Sequence, residues 1–210
     1  MPRESLSLVL LSGGIDSATA LHLVSRRTRV LPLYIDYGQR AFERERAAAN
    51  AVCSDLGLEL ETLELSEVGT AFRRGHVWQA HVPLPHRNLA LLGLAFSYAA
   101  DRRASHIVLA VNKEDAASQK NAAPPFIDAF RALTATLDEI RLVTPLIEWD
   151  KAEVIRQGHA LGVDYAHTYS CLLGRERPCG ACPQCEHRRA AFAKAGFADP
   201  VLAIADGKNP

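Results

Sequence analysis

The chain has 210 residues, 48% hydrophobic and 23% charged, the balance of a globular protein with room for one well-filled domain and a small appendage. Its 24 basic residues match 24 acidic ones, so no global field draws it to nucleic acid or to an anionic membrane surface. No apolar run approaches the roughly 20 residues of a membrane span. The apolar start, broken by Gly13, Gly14 and Asp16, is too short for a secretory signal, so the expectation is a cytoplasmic protein.

The first run, Leu6-Ser7-Leu8-Val9-Leu10-Leu11, reads as a strand buried in a parallel sheet. From Ser17 onward Ala20, Leu21, Leu23 and Val24 recur at helical spacing, so SGGIDS (12–17) is a strand-to-helix corner. Glycines there let backbone approach a ligand closely, and N–H groups at a helix start attract anions; the expected ligand is a phosphate. VLPLYIDY (30–37) is a second strand, AFERERAAANAVCSDLG (41–57) a helix stopping at Gly57, and LELETLEL (58–65) a strand nearer an edge. Residues 66–86, with Gly69, Gly75, Pro83 and Pro85, read as an irregular loop over the sheet. Then follow a helix (87–101), the strand HIVLAV (106–111) and a polar stretch (112–125) ending in Pro124-Pro125. A helix (126–139), a short strand (140–146) and a helix (150–162) complete the alternation.

Strands alternating with helices imply parallel pairing and right-handed crossovers, hence a three-layer α/β/α doubly wound sheet. Ligands of such sheets bind at the carboxyl ends of the strands. Three polar clusters fall there, at 12–17, 36–40 and 112–115, and point to one composite site.

The corner lacks the lysine of a Walker-type phosphate loop and the spacing of the dinucleotide fingerprint. Ser12-Gly13-Gly14-Ile15-Asp16-Ser17 instead resembles the pyrophosphatase loop of enzymes that split ATP into AMP and pyrophosphate. That resemblance implies ATP along Leu11, Ser12, Gly13, Gly14, Ile15, Asp16, Ser17 and Ala18, with Asp16 near the Mg2+ that accompanies the phosphates. A plain glycine-rich turn, with Asp16 or Ser17 capping the helix, is the competing reading.

Cysteine usage is uneven. Cys53, on a helix, reads as a small core residue, while Cys171, Cys179, Cys182 and Cys185 crowd into SCLLGRERPCGACPQC (170–185). Four thiolates with two Cys-x2-Cys steps suit a tetrahedral structural Zn2+ that staples the segment and leaves no open position for chemistry. Iron–sulfur ligation and free buried thiols compete, while His167 and His187 are left out of the ligand set. The expected division is a nucleotide-binding α/β domain (1–165) and a small helical metal module (166–210) packed on it.

Taken together, LLSGGIDSATAL (10–21), DYGQR (36–40), RNLALLGLA (87–95), VN (111–112), TPLIEWDKAEVI (144–155) and the cysteine segment resemble the 7-cyano-7-deazaguanine synthase family of queuosine biosynthesis. The resemblance implies an ATP-dependent carbon–nitrogen ligase working on a deazaguanine-type carboxylate and ammonia. AMP transfer makes an acyl adenylate, ammonia converts it to an amide, and a second adenylation lets the nitrile form. It also implies a homodimer, catalytic roles for Asp16, Ser17 and Lys151, and substrate contacts from Tyr37, Gln39, Arg40, Arg87, Asn88, Asn112 and Asp115. Blander roles stand beside these: Arg40 paired with Glu43 or Glu45, Asn88 or Asp150 as helix caps, and Lys151 paired with Glu148.

The chain departs from the family where a Ser-Gly-Tyr-Pro-Asp-Cys-Arg stretch usually follows the fourth strand. EDAASQKNAAPPF (114–126) keeps Asp115 but no tyrosine and no Asp-Cys-Arg, and the threonine usual before Val82-Pro83 is missing. Losing polar groups from a purine site alters specificity more than adenylation. Three functions are therefore carried forward: the nitrile-forming ligase, a divergent relative that gives the carboxylate to another amine such as one on a protein, and a tRNA-modifying pyrophosphatase. Neutral net charge weighs against the last.

Overall fold

A computed structural model describes residues 5–73 and 84–202. Five strands, β1 (Leu6–Leu10), β2 (Arg29–Asp36), β3 (Glu61–Glu64), β4 (His106–Val108) and β5 (Arg141–Val143), form one sheet in the order β3-β2-β1-β4-β5. Every neighbouring pair is parallel, with Leu6 to Leu10 beside Arg29 to Leu33 and Ser7 to Val9 beside His106 to Val108. Pro32 is tolerated in β2 because pairing with β3 begins one residue later, at Leu33.

Side chains alternate across the sheet into two cores. Val9, Tyr34 and Val108 face one layer, packed on α1 (Ile15–Ser25), α2 (Phe42–Asp55), α7 (Lys151–Leu161) and α8 (Pro183–Ala195) through Leu21, Val52, Ile155 and Phe192. Leu8, Leu33 and Ile107 face the other, packed on α4 (Arg87–Asp101) and α6 (Pro124–Thr134) through Leu92, Ala95, Ile127 and Phe130. The three-layer doubly wound architecture is therefore as the alternation implies. The chain runs outward from β1 to β3, then returns to build β4 and β5 on the other side. The crevice between the carboxyl ends of β1 and β4 is the point where strand order reverses.

Two helices stand where the sequence reads as an irregular loop (66–86) and a polar stretch (112–125). Within 66–86, α3 (Ser66–Arg73) forms, and the remainder of that stretch, 74–83, lies outside the described residues. In the polar stretch, α5 (Lys113–Ser118) is nucleated by a capping box: the Asp115 amide donates to Asn112 Oδ1 at 2.9 Å, and the Asn112 amide donates to Asp115 Oδ2 at 3.4 Å. Pro124 and Pro125, which end the polar stretch in the sequence reading, open α6, since proline's missing N–H costs nothing in a first turn.

The segment after α7 is locked from both sides. Tyr165 reaches into the core, where its hydroxyl meets Thr19 Oγ1 at 2.8 Å and donates to the Val154 carbonyl at 3.1 Å. Gly158 makes the room: a Cβ there would lie 1.8 Å from the Tyr165 hydroxyl. Arg188 of α8, only 2% exposed, donates from Nε to both Asp199 oxygens at 2.9 and 3.0 Å and from its other nitrogens to Thr168 and Tyr165. A buried guanidinium so fully partnered fixes geometry, because loss of any partner strands a charge. Among the described residues no helix is long and apolar enough to cross a membrane.

Candidate functional site

A cleft of about 300 Å³ opens at the carboxyl ends of β1, β2 and β4. Its floor is the corner between β1 and α1. Ser17 Oγ accepts from the Ser12 amide at 3.2 Å, contacts Ser12 Oγ at 3.1 Å and donates to the Gly14 carbonyl at 3.2 Å, which folds the corner back on itself. Gly13 has φ +74, and a Cβ on it would lie 2.5 Å from the Glu45 carbonyl of α2, so only glycine fits. Gly14 occupies the N-cap of α1 without a side-chain cap, leaving the first-turn amides open toward the cleft.

Asp16 stands in that first turn, ion-paired with Lys151 Nζ at the start of α7 and accepting from Asn112 Nδ2 at 3.2 Å. Burial works to lower the Lys151 pKa, but the charges of Asp16, Asp115 and Glu114 outweigh it and the ammonium is held more firmly than usual. Asp115 goes the other way: burial raises its pKa, the Asp16 charge adds to this, and Lys151 opposes both. Lys151 thus sits as one cation among three carboxylates. Its own amide donates to both Glu114 oxygens at 3.2 and 3.1 Å, and the Lys113 amide donates to the Trp149 carbonyl at 2.9 Å, so α5 and α7 hold their first turns together. Asp150 does cap α7, accepting from the Glu153 amide at 2.7 Å.

The opposite wall comes from the end of β2. Asp36 Oδ1 accepts from the Gly38 amide at 2.8 Å, and Gln39 Oε1 accepts from the Tyr37 amide at 2.9 Å, fixing a tight turn. Gly38 (φ +81) lets the turn press against Gly69 of α3, where a Cβ would be 2.9 Å from the Gly69 Cα. Gln39 Nε2 donates to Tyr34 Oη at 2.7 Å and to Glu45 Oε2 at 3.1 Å. Arg87 Nη1 donates to Tyr37 Oη at 3.3 Å. Burial raises the Tyr37 pKa and the nearby guanidinium partly offsets it.

Of the residues singled out in the sequence, the cleft brings together Leu11, Ser12, Gly14, Ile15, Asp16, Ser17, Tyr37, Gln39, Arg87, Asn88, Asp115 and Lys151. Gly13 lies behind it, against α2. Ala18 is buried, its amide donating to the Gly14 carbonyl at 3.0 Å. Asn112 is buried beneath the lining and spends its side chain on the α5 cap and Asp16. Asn88 donates to the Asn121 carbonyl at 3.0 Å and does not cap α4. Arg40 is exposed and outside the lining. Tyr34, Glu45, Gln119, Tyr169 and Gln184 line the cleft without having been singled out for it. Glu45 had a signal: it shares a helical face with Ala41, Ala48, Ala49 and Val52, all buried. A larger hollow of about 1070 Å³, with Arg103, Arg131 and Arg141 in its walls, lies at the amino ends of β4 and β5, away from the corner.

The four clustered cysteines converge: their sulfurs all lie within 4.8 Å of one another, and three of the four residues are buried. A single tetrahedral ion with sulfur ligands at about 2.3 Å separates its sulfurs by roughly 3.8 Å, so one ion fits this set. A four-iron cluster, holding each thiolate on a different iron, spreads them wider and fits less well. Cys182 is the N-cap of α8, Cys185 lies in its first turn, and Pro183 begins it. Gly174 (φ +64) brings the cysteine loop against the Arg40 carbonyl, 2.6 Å from where its Cβ would stand. The Tyr169 amide donates to the Gly13 carbonyl at 2.9 Å. The segment that carries the four cysteines is therefore held against the glycine corner through Tyr169 and against the Arg40 carbonyl through Gly174.

Residues 6–196 match the family described as queuosine biosynthesis protein QueC. The chain belongs to this family. Membership makes it an ATP-dependent enzyme with a pyrophosphatase-type loop. A curated relative from Methanoculleus marisnigri, named 7-cyano-7-deazaguanine synthase, is 36% identical over 93% of this chain and 97% of its own length. One of the same name from Alteromonas mediterranea is 32% identical over 92% and 96%. Solved structures share the fold at lower identity. An NMN synthetase from Francisella tularensis has a TM-score of 0.55 at 19% identity, covering 100% of this chain and 79% of that one. The U34-tRNA thiolase NcsA from Methanococcus maripaludis, with its [4Fe-4S] cluster, gives 0.58 at 13%, covering 99% and 72%. Those two likenesses concern the architecture of this QueC family member and not its substrate.

Proposed function

We propose that this protein converts 7-carboxy-7-deazaguanine and ammonia to 7-cyano-7-deazaguanine, using ATP twice and releasing AMP and pyrophosphate each time. The observation that carries the reading is the Asp16–Lys151 pair beside open helix amides, at the strand-order reversal of a chain that matches the QueC family from residue 6 to 196.

A carboxylate resists attack by ammonia because it would have to expel an oxide. Attack of a carboxylate oxygen on the α-phosphorus of ATP forms the acyl adenylate and expels pyrophosphate. The first-turn amides of α1, with Ser12 and Ser17, hold that leaving group. Ammonia then adds to the carbonyl carbon and AMP departs with the former carboxyl oxygen, leaving the amide. Attack of the amide oxygen on a second ATP expels pyrophosphate and, with loss of one N-bound proton, leaves an O-adenylated imidate; departure of AMP with loss of the second N-bound proton gives the nitrile. Ground-state pairing with Asp16 keeps Lys151 charged and in reach of the phosphates. Asp16 is the residue that would stand beside Mg2+ bound with ATP, and the ion would supply the positive charge that lets a carboxylate lie near a triphosphate. Asp115 and Arg87 border the deazaguanine. Zinc is the ion that suits the four thiolates, in a module of residues 166–210 that braces the corner and does no chemistry. The soluble interior of the cell and a homodimer complete the reading.

The altered stretch around α5 favours one second outcome. Asp115 and Gln119 line the cleft where the family usually has its tyrosine and Asp-Cys-Arg, so a different amine acceptor is the alternative. Product mass after incubation of 7-carboxy-7-deazaguanine with ATP and ammonia separates them. The nitrile supports the reading; a conjugate to another amine supports the alternative, and an accumulating amide confines the reading to its first adenylation. Absence of AMP overturns both.

A further inference from the structure

Glu45 is the charged group of the cleft for which the reaction above has no use. It lies half-buried on the inner face of α2. Its Oε2 accepts from Gln39 Nε2 at 3.1 Å and from Tyr34 Oη at 3.3 Å, while Oε1 has no hydrogen-bond partner among the described residues. The carboxyl nevertheless lines the cleft, on the wall with Tyr37 and Arg87 and across from Lys151 and Asp115.

Charge divides the cleft into two ends. The helix amides draw phosphates to the corner, whereas at the other end the Glu45 carboxylate and the Arg87 guanidinium offset one another. What remains to occupy that end is an uncharged part of a ligand. A carboxylate oxygen stripped of water by an entering ring must be given a donor or it costs binding energy. Both ring systems of the proposed reaction carry such a donor: the 2-amino group of the deazaguanine and the 6-amino group of adenine.

We infer that Glu45 Oε1 accepts a hydrogen bond from the exocyclic amino group of a purine-type ring, which makes Glu45 a specificity-determining residue. This rests on the proposed function for the identity of the two rings. It adds a reader that neither the glycine corner nor the Asp16–Lys151 pair supplies.

The test is a set of calorimetric titrations on the full chain and on Glu45→Met, which keeps the bulk and removes the acceptor. The probes come in two pairs: ATP against purine riboside triphosphate, and 7-carboxy-7-deazaguanine against its 2-desamino analogue, the latter pair in the presence of a non-hydrolysable ATP analogue. In one pair, deleting the amino group weakens binding to the parent protein about 10- to 100-fold, the range for a hydrogen bond to a charged group. The variant binds both members of that pair within about 3-fold. The responding pair names the ring. A purely structural Glu45 would weaken both members equally and leave each ratio as in the parent protein; that result, in both pairs, overturns the inference. Should Glu45→Met fail to fold, Glu45→Gln serves, since a neutral acceptor is roughly half as strong and cuts the ratio at least 3-fold. An unchanged ratio there overturns it equally. Titrations read binding and not turnover, so a missing nitrile counts against the reaction, whereas equal ratios count against Glu45.

Discussion

The glycine corner and the cysteine cluster are both short, turn-rich segments at the start of a helix, and they do opposite things with their polar groups. At the corner, α1 begins at an N-cap with no side-chain cap and leaves its donors open to a cleft. At the cluster, α8 begins at Cys182, and four sulfurs converge to within 4.8 Å, enough to fill a tetrahedral shell with nothing left over. An open shell invites a ligand; a closed one makes a staple. The segment leading into the cluster touches the corner where the Tyr169 amide donates to the Gly13 carbonyl at 2.9 Å, so a metal held by the four sulfurs would steady the open site.

Removing the staple has the largest expected effect. Structural zinc in small peptides is worth roughly 10–16 kcal/mol of folding free energy. Even about 5 kcal/mol here amounts to a drop of 10 °C or more in Tm. A chelator, or Cys182→Ser, should lower Tm by at least that much and abolish pyrophosphate release together; a chelated protein that melts unchanged would break the contrast.

Next come two glycines that look alike in sequence. Gly13→Ala forces a side chain into φ +74 and against the Glu45 carbonyl, at a cost of about 2–4 kcal/mol. Gly14→Ala meets only Ser12 Oγ at 3.4 Å and the Tyr169 carbonyl at 3.8 Å, so its stability cost stays within about 1 kcal/mol. Its methyl group nevertheless obstructs the phosphate path and should raise the KM for ATP about 10-fold or more. Denaturant melts beside ATP titrations distinguish a corner glycine needed for folding from one needed for the ligand. Gly158→Ala is the control, since Gly158 lines neither the cleft nor the cysteine cluster. It displaces the Tyr165 hydroxyl and should cost about 2–4 kcal/mol while leaving the KM for ATP unchanged.

The smallest effect concerns pH. His167 Nδ1 lies 2.8 Å from Asp55 Oδ2, and that hydrogen bond raises the His167 pKa above its usual 6.5. The folded state then holds the proton more tightly than the unfolded one. The pair's contribution is complete below pH 6.5 and fades as pH rises through the higher folded value. The imidazole is partly exposed, so the effect is at most about 0.5 kcal/mol. His22 has the opposite sign: burial lowers its pKa, so its share of stability is present above pH 6.5 and is lost on acidification. Melts of His167→Asn between pH 5 and 8 should lack the fading at the upper end and keep the loss at the lower.

The sheet was legible because β1, β2 and β4 are continuous apolar runs, and a run buried on both faces has few other homes. The corner was legible because residues 12–17 are local: glycines, serines and an aspartate act within one turn. The partners of Asp16 were harder. Lys151 and Asn112 lie 135 and 96 residues away, and nothing in a linear reading says which cation closes on which carboxylate. α5 was missed because its stability comes from one reciprocal cap between Asn112 and Asp115 and not from apolar periodicity. Glu45 was hidden among the charges of α2, where only its phase against Ala41, Ala48 and Val52 marks it as inward-facing.

The central claim is that AMP is transferred to a carboxyl oxygen while the corner amides hold pyrophosphate. It is tested most directly with 7-carboxy-7-deazaguanine labelled with 18O in both carboxyl oxygens, ATP and ammonia. The account predicts unlabelled pyrophosphate and AMP carrying one 18O, with both carboxyl oxygens recovered in two AMP molecules per nitrile, and no such AMP from Asp16→Ala. Label in inorganic phosphate, or AMP that carries none, would contradict it.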